Sequence, residues 1–265
     1  MSASWLRHAF GFALALPLFG CGALGGLEAL RAGLPADEDV KLAVPERSGA
    51  QALVGQQADL YGMTRGVTVG VNGGVLWALG LVRRIASMPP TTHPDATHWT
   101  WGPSTPRNLE PKNNYQLEAS LNDDGSVSYA LAGKTVEAET FHTLIAGTHA
   151  KGAVPRSGNG TLDLDWDASH ELHKTGRQVG HAHAQYGYKA GDGYTVAVDF
   201  TQIRDGDSDR LVDATYRFSQ PVAGTGTLLF TTQKDLTGDA RLETLTIFSR
   251  WLESGRGRGD ARATG

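Results

Sequence analysis

Asp163, Asp165 and Asp167 alternate with Leu164 and Trp166, and His181 and His183 stand two residues apart downstream. On a strand, residues at i and i+2 share a face. Each set therefore presents its polar groups on one side. Paired as a hairpin, the two segments bring carboxylates against imidazoles. That donor set suits zinc or a similar metal. Asp163, Asp165, His181 and His183 are the candidate ligands, with His170 and His173 lying between them. The plainer reading is a solvated strand face, and a one-residue slip in register would point the two sets apart.

Other chemistry has less support. Asp163-x-Asp165-x-Asp167 begins like a calcium loop, but Ala168 stands where Gly is required and Lys174 where the bidentate Glu belongs. Asp205-x-Asp207-x-Asp209 departs similarly, with Arg210 and Tyr216. Both read as turns. There is no G-x-S-x-G elbow, no Walker A loop and no dinucleotide fingerprint. Trp77, Trp99, Trp101, Trp166 and Trp251 either line a ligand pocket or fill a core.

Bulk composition sets wide bounds. The chain has 265 residues with 40% hydrophobic and 20% charged content, as in an ordinary globular protein. Its formal net charge is -4, and residues 1–20 hold one Arg and no acid, leaving -5 for the rest. That balance argues against a nucleic-acid partner. Cys21 is the single cysteine, so no internal disulfide forms. Glycine is abundant, 34 residues. It is spread along the chain, as tight turns and close backbone approaches in a β protein require, or as a coding bias would leave it.

The first 21 residues read as a delivery signal. Arg7 and His8 precede an apolar run from Ala9 to Gly20, about the length of a signal-peptide core. It is too short to span a bilayer as a helix. Leu18-Phe19-Gly20-Cys21 resembles the lipobox of bacterial lipoproteins. The resemblance covers residues 1–21 only; Phe19 and the single Arg are less usual there. It implies cleavage before Cys21, with a diacylglycerol and a fatty acid carried on that cysteine. Two or more acyl chains anchor stably where one does not. Gly22 stands where an Asp retains many such proteins in the inner membrane, which implies export through the periplasm to the outer membrane.

The elements that position these residues divide the chain into three parts: a signal peptide over 1–20, a lipidated Cys with a flexible tether over 21–50, and one β-rich domain with an N-terminal helix over 51–265. The tether mixes Gly, Ala, Pro and charge, with a short helix around Gly26 to Gly33. Gln51 to Tyr61 reads as helical. Gly66 to Val82 is nearly free of charge and ends at Arg83, Arg84 and Pro89-Pro90. Gly66, Gly70, Gly74 and Ala78 recur every four residues, a small-residue ridge that lets another backbone approach. This segment reads as a helix buried against a sheet, with membrane insertion or a plug in a β-structure as the alternatives.

After Pro90 the pattern changes. His93 to Asn108 reads as a loop around Trp99 and Trp101. Tyr115 to Leu121 and Ser126 to Ala132 alternate about the turn Asn122 to Gly125, a hairpin. Further strands are expected over 136–147, 160–167, 177–188, 193–202, 211–219, 225–233 and 241–253. In 254–265 Gly and Ala alternate with Arg and Asp, as in a strand with a cationic face or a basic tail. The alternation runs to Gly265, which suggests a chain cut short.

The fold class is therefore α+β, mostly β: an antiparallel meander curled into a barrel or half-barrel around one Gly-rich buried helix. In shape this resembles the envelope lipid and lipoprotein carriers of Gram-negative bacteria, and no site residue carries over from them. Three readings follow. One is a non-catalytic, membrane-anchored envelope lipoprotein binding an apolar ligand or a protein partner. The second is a metal-dependent enzyme using the 163–183 cluster. The third is a purely structural surface lipoprotein with a filled core.

Overall fold

The computed structural model describes residues 21–41, 58–105, 112–154, 157–174, 177–189, 193–205, 209–252 and 257–265. The leader, residues 42–50 of the expected tether, the start of the helix expected at Gln51, and Arg256 of the tail lie outside these residues.

Eleven strands form one sheet: β1 (His98–Ser104), β2 (Asn113–Leu121), β3 (Val127–Thr135), β4 (His142–Ala150), β5 (Asn159–Asp165), β6 (His181–Lys189), β7 (Gly193–Arg204), β8 (Leu211–Gln220), β9 (Thr225–Lys234), β10 (Glu243–Leu252) and β11 (Gly257–Thr264). Each pairs antiparallel with the next, so the fold is a mostly β meander without crossovers. Among the described residues no pairing joins β1 to β11, and the sheet is open. Four helices accompany it: α1 (Cys21–Gly33), α2 (Asp37–Val40), α3 (Ala58–Ala86) and α4 (Trp166–Leu172).

The strands form where apolar residues recur with period two. In β3, Val127, Tyr129 and Leu131 are buried while Ser128, Ala130 and Ala132 are half-buried. Asn122 to Gly125 turns the chain between β2 and β3, with Gly125 at φ 79° and Asp124 accepting from the Ser126 amide. The inner face of the sheet carries Leu117, Leu162, Val198, Tyr216, Leu228 and Trp251, all buried. Helix α1 adds Leu27 and Leu30, Leu34 follows just after it, and α3 adds Ala78, Leu79 and Val82. Each such Leu or Val contributes about 1.5–3 kcal/mol through burial.

Four expectations are corrected. Residues 27–40 are not a flexible tether, because Leu27, Leu30, Leu34 and Val40 join the core. Arg31 ties α1 to the end of α3 through the Ala86 and Met88 carbonyls at 2.9 and 3.0 Å. Residues 98–104 are strand β1, where the spacing predicts a loop, and Trp99 and Trp101 are buried on it. Trp166 and Asp167 begin helix α4, where the alternation predicts continued strand. Helix α3 is buried only in part. Ala78, Leu79, Val82 and Ala86 pack inward, but Val69 and Trp77 are about two-thirds exposed. Its Gly66–Ala86 stretch is long and apolar enough to cross a membrane, at mean hydropathy 1.3.

The strand reading of the tail holds for residues 257–264. Gly257, Gly259 and Ala261 lie opposite inward-facing Trp251, Ser249 and Ile247. Arg258 and Arg262 lie on the other face, opposite Arg250 and Thr246.

Candidate functional site

The expected hairpin is present. β5 and β6 pair with Asp163 opposite His183 and Asp165 opposite His181. His183 Nδ1 lies 2.5 Å from Asp163 Oδ1. His181 is 3.5 Å from Asp165 and 3.4 Å from Asp167. These pairs stand on the outer, solvated face of the sheet, and each side chain is more than a third exposed. They do not converge on one point. Asp165 caps α4, its Oδ1 accepting from the Ala168 amide at 2.8 Å. Asp167 has left the strand and accepts from the Gly180 amide at 2.8 Å. His170 lies on α4, and His173 follows it and bonds Tyr115 Oη at 2.7 Å. Among the described residues no three His, Cys, Asp or Glu side chains gather as a metal site.

A second arrangement lies on the inner face, where no motif marks it. Of the α3 side chains described before Ala78, Thr68 alone is fully buried, while Val67, Val71, Val75 and Leu76 pack half-buried against the core. Over β5–β7 a cleft of about 80 Å³ remains between Gly70, Val71, Gly74 and Val75 of α3 and the sheet residues Leu162, Ala184 and Val198. Its walls are almost wholly apolar. A wider cavity of about 390 Å³ opens beside it, lined by Val179, Ile203, Arg177 and Arg204. Trp166 and Phe200 line both. Their rings stack with centroids 6.4 Å apart and planes 6° apart.

The glycines of α3 border open space. A Cβ on Gly66, Gly70, Gly73, Gly74 or Gly80 would meet no atom within 4 Å. Among the described residues no backbone therefore arrives at Gly66, Gly70 or Gly74, contrary to the expectation from the four-residue spacing, whereas Ala78 at the end of the ridge is buried. Of the five expected pocket tryptophans, Trp166 alone lines the cleft. Trp99, Trp101 and Trp251 are core, and Trp77 faces solvent.

One buried polar cluster joins α2 to the inner face. His149 is fully buried, with Nδ1 2.9 Å from Tyr186 Oη and Nε2 3.7 Å from Asp39. Burial pushes the imidazole pKa down, with Lys151 acting in the same direction and the Asp39 carboxylate opposing. Burial likewise pushes the Tyr129, Tyr186 and Tyr216 hydroxyls up, so all three stay neutral. A lone His within a strand carries no signal of this in the sequence. Phe200, Val179 and Ile203 also give none, because their meeting depends on strand register.

The chain matches no known protein family, no curated protein and no solved structure.

Proposed function

We propose that this chain is a membrane-anchored envelope lipoprotein, held by lipid on Cys21 at the outer membrane. It binds an apolar ligand between α3 and the sheet and performs no catalysis. The sheet is read as a half-barrel curled around α3; in support, α3 lies near β2 at one end and β10 and β11 at the other. The observation that carries the ligand reading is the apolar cleft under Gly70 and Gly74, which shares Trp166 and Phe200 with the larger cavity. Binding sites are of this kind, concave and mainly apolar with few polar groups.

Residues 22–265 contain every core residue, Leu27 to Trp251. Expressed in a Gram-negative periplasm, this chain is expected to carry a lipid-sized mass by native mass spectrometry, removable by organic extraction. A bare polypeptide mass before extraction would favour the filled-core reading instead. The anchor is tested separately: in the full chain, Cys21→Ser is expected to abolish acyl labelling and leave the protein unprocessed. Labelling that survives the substitution would exclude lipid on Cys21.

The metal-dependent reading has one observation in its favour, the short Asp163–His183 contact across β5 and β6. Stoichiometric zinc by elemental analysis, lost in His183→Ala, would establish it in place of the first.

A further inference from the structure

We propose that the cleft takes a single-chain anionic amphiphile, its chain lying over Trp166 and Phe200 against α3 and its head between Arg177 and Arg204. This rests on the apolar-ligand reading above and adds the chemistry of the head.

Three observations carry it. First, the two cavities share one stacked pair of rings, Trp166 and Phe200, so a ligand laid along these rings borders both. The inner 80 Å³ takes the end of a chain and no polar group, since its walls offer almost no polar surface. Second, the wide part has two guanidiniums at its rim, and among the described residues nothing else cationic lines it. A guanidinium fork matches the oxygen pair of a carboxylate or phosphate. Third, the two arginines already share a carboxylate. Asp209 Oδ1 lies 2.9 Å from Arg177 Nη2 and 3.3 Å from Arg204 Nη1. The arginines hold its carboxyl below the usual range.

Asp209 thus occupies the place of a ligand head. Asp209 is itself exposed and stands two residues before β8. With Asp205 at the same rim the charges balance, so an incoming anion displaces Asp209 and does not fill a vacant cationic hole. Arg204 remains oriented during that exchange, because its Nε donates to the Arg177 carbonyl at 3.1 Å. The single chain follows from the narrowness of the inner cleft, which two chains side by side would overfill.

The test uses residues 22–265 after organic extraction and four ten-carbon probes below their micellar concentrations: decanoate, decyl phosphate, decanol and decyltrimethylammonium. Calorimetric titration is expected to give decanoate or decyl phosphate at least about tenfold tighter binding than decyltrimethylammonium. The tighter of the two anions identifies a fatty acid or a phosphate-headed lipid. Arg177→Gln with Arg204→Gln is expected to weaken the anions about tenfold and leave decanol unchanged, whereas Asp209→Asn is expected to tighten the anions. Equal binding of all four probes to the unaltered protein would overturn the anionic head and keep the apolar cleft. A double variant that weakens decanol as much as decanoate would overturn it too. If none of the four binds, the cleft reading and this inference fall together.

Discussion

Glycine does opposite work in the sheet and in helix α3. In the sheet, glycine makes room for rings. A Cβ on Gly147 would fall within 3.0 Å of the Tyr129 ring, one on Gly160 equally close to Tyr186, and one on Gly226 equally close to Trp251. Gly158 makes the same room for the His149 ring. Each ring lies across a neighbouring strand and covers the bare backbone, which lets large aromatic side chains lie low on the inner face. In α3 a Cβ on Gly66, Gly70, Gly73, Gly74 or Gly80 would touch none of the described residues. There the glycines weaken the helix by up to about 1 kcal/mol each relative to Ala and leave the cleft open. One residue type thus closes one region and opens the other.

The largest effects are expected where the rings lie. Gly147→Ala places a methyl 2.5 Å from the Thr161 carbonyl and 2.6 Å from Tyr129 Cζ. Backbone cannot yield as a flexible side chain does, so the loss should reach the top of the range for overpacking, about 3 kcal/mol. Gly226→Ala meets Trp251 and the Gln220 side chain instead, and should cost about 2 kcal/mol. Urea unfolding measures both. Combining Gly226→Ala with Trp251→Leu should cost less than the two separate losses together. Strict additivity would mean that the ring is not what the glycine accommodates.

The polar member of this tight region gives a pH effect. His149 is buried beside Tyr186 and Asp39, and its folded pKa lies below the ordinary 6.5. The unfolded chain then takes up the proton first as pH falls. The contribution to stability is complete above about 6.5 and is lost as pH drops toward the folded value. Unfolding midpoints between pH 7 and 5 should fall less steeply in His149→Gln. An unchanged slope would mean that the Asp39 carboxylate offsets burial.

In α3 the expected sign reverses. Gly66→Ala and Gly73→Ala should each stabilise by about 0.5–1 kcal/mol, because the methyl meets no neighbour and the helix gains propensity. Gly74→Ala should stabilise similarly while narrowing the cleft beneath it. Destabilisation at any of the three would show that something packs on this face.

The sheet was legible in the sequence and the contrast between its glycines and those of α3 was not. Period-two alternation and the turns at 122–125 and 189–193 place β2 to β10 within a few residues, apart from the start of β4. β1 escapes because Gly102 and Pro103 interrupt the Trp99–Trp101 alternation and read as loop. α4 escapes because Trp166 and Asp167 continue the pattern of β5, and only the Asp165 cap shows that the chain has turned helical. That carboxylates and imidazoles could face each other across β5 and β6 was legible because both sets alternate; which of them stand opposite was not. The ring-on-glycine pairs were not, since each joins two strands whose register no local pattern states. The α3 ridge has the spacing of a helix contact, and spacing alone does not say whether a neighbour arrives.

The smallest effect belongs to the outer face, where the comparison between closed and open regions meets solvent. Asp163 and His183 form a short contact, but both side chains are about half exposed. An exposed pair of this kind contributes about 0–1 kcal/mol, because water competes for both partners and holding them in one geometry costs side-chain entropy. Asp163→Asn keeps the shape and the hydrogen bond while removing the charge, so its loss should stay within about 0.5 kcal/mol. The expected result is the same small loss with and without added zinc. A zinc-dependent rise in the unfolding midpoint that Asp163→Asn abolishes would place a metal on this face. It would also mean that the alternating carboxylates are held there for chemistry, whereas the rings of the inner face are held for packing.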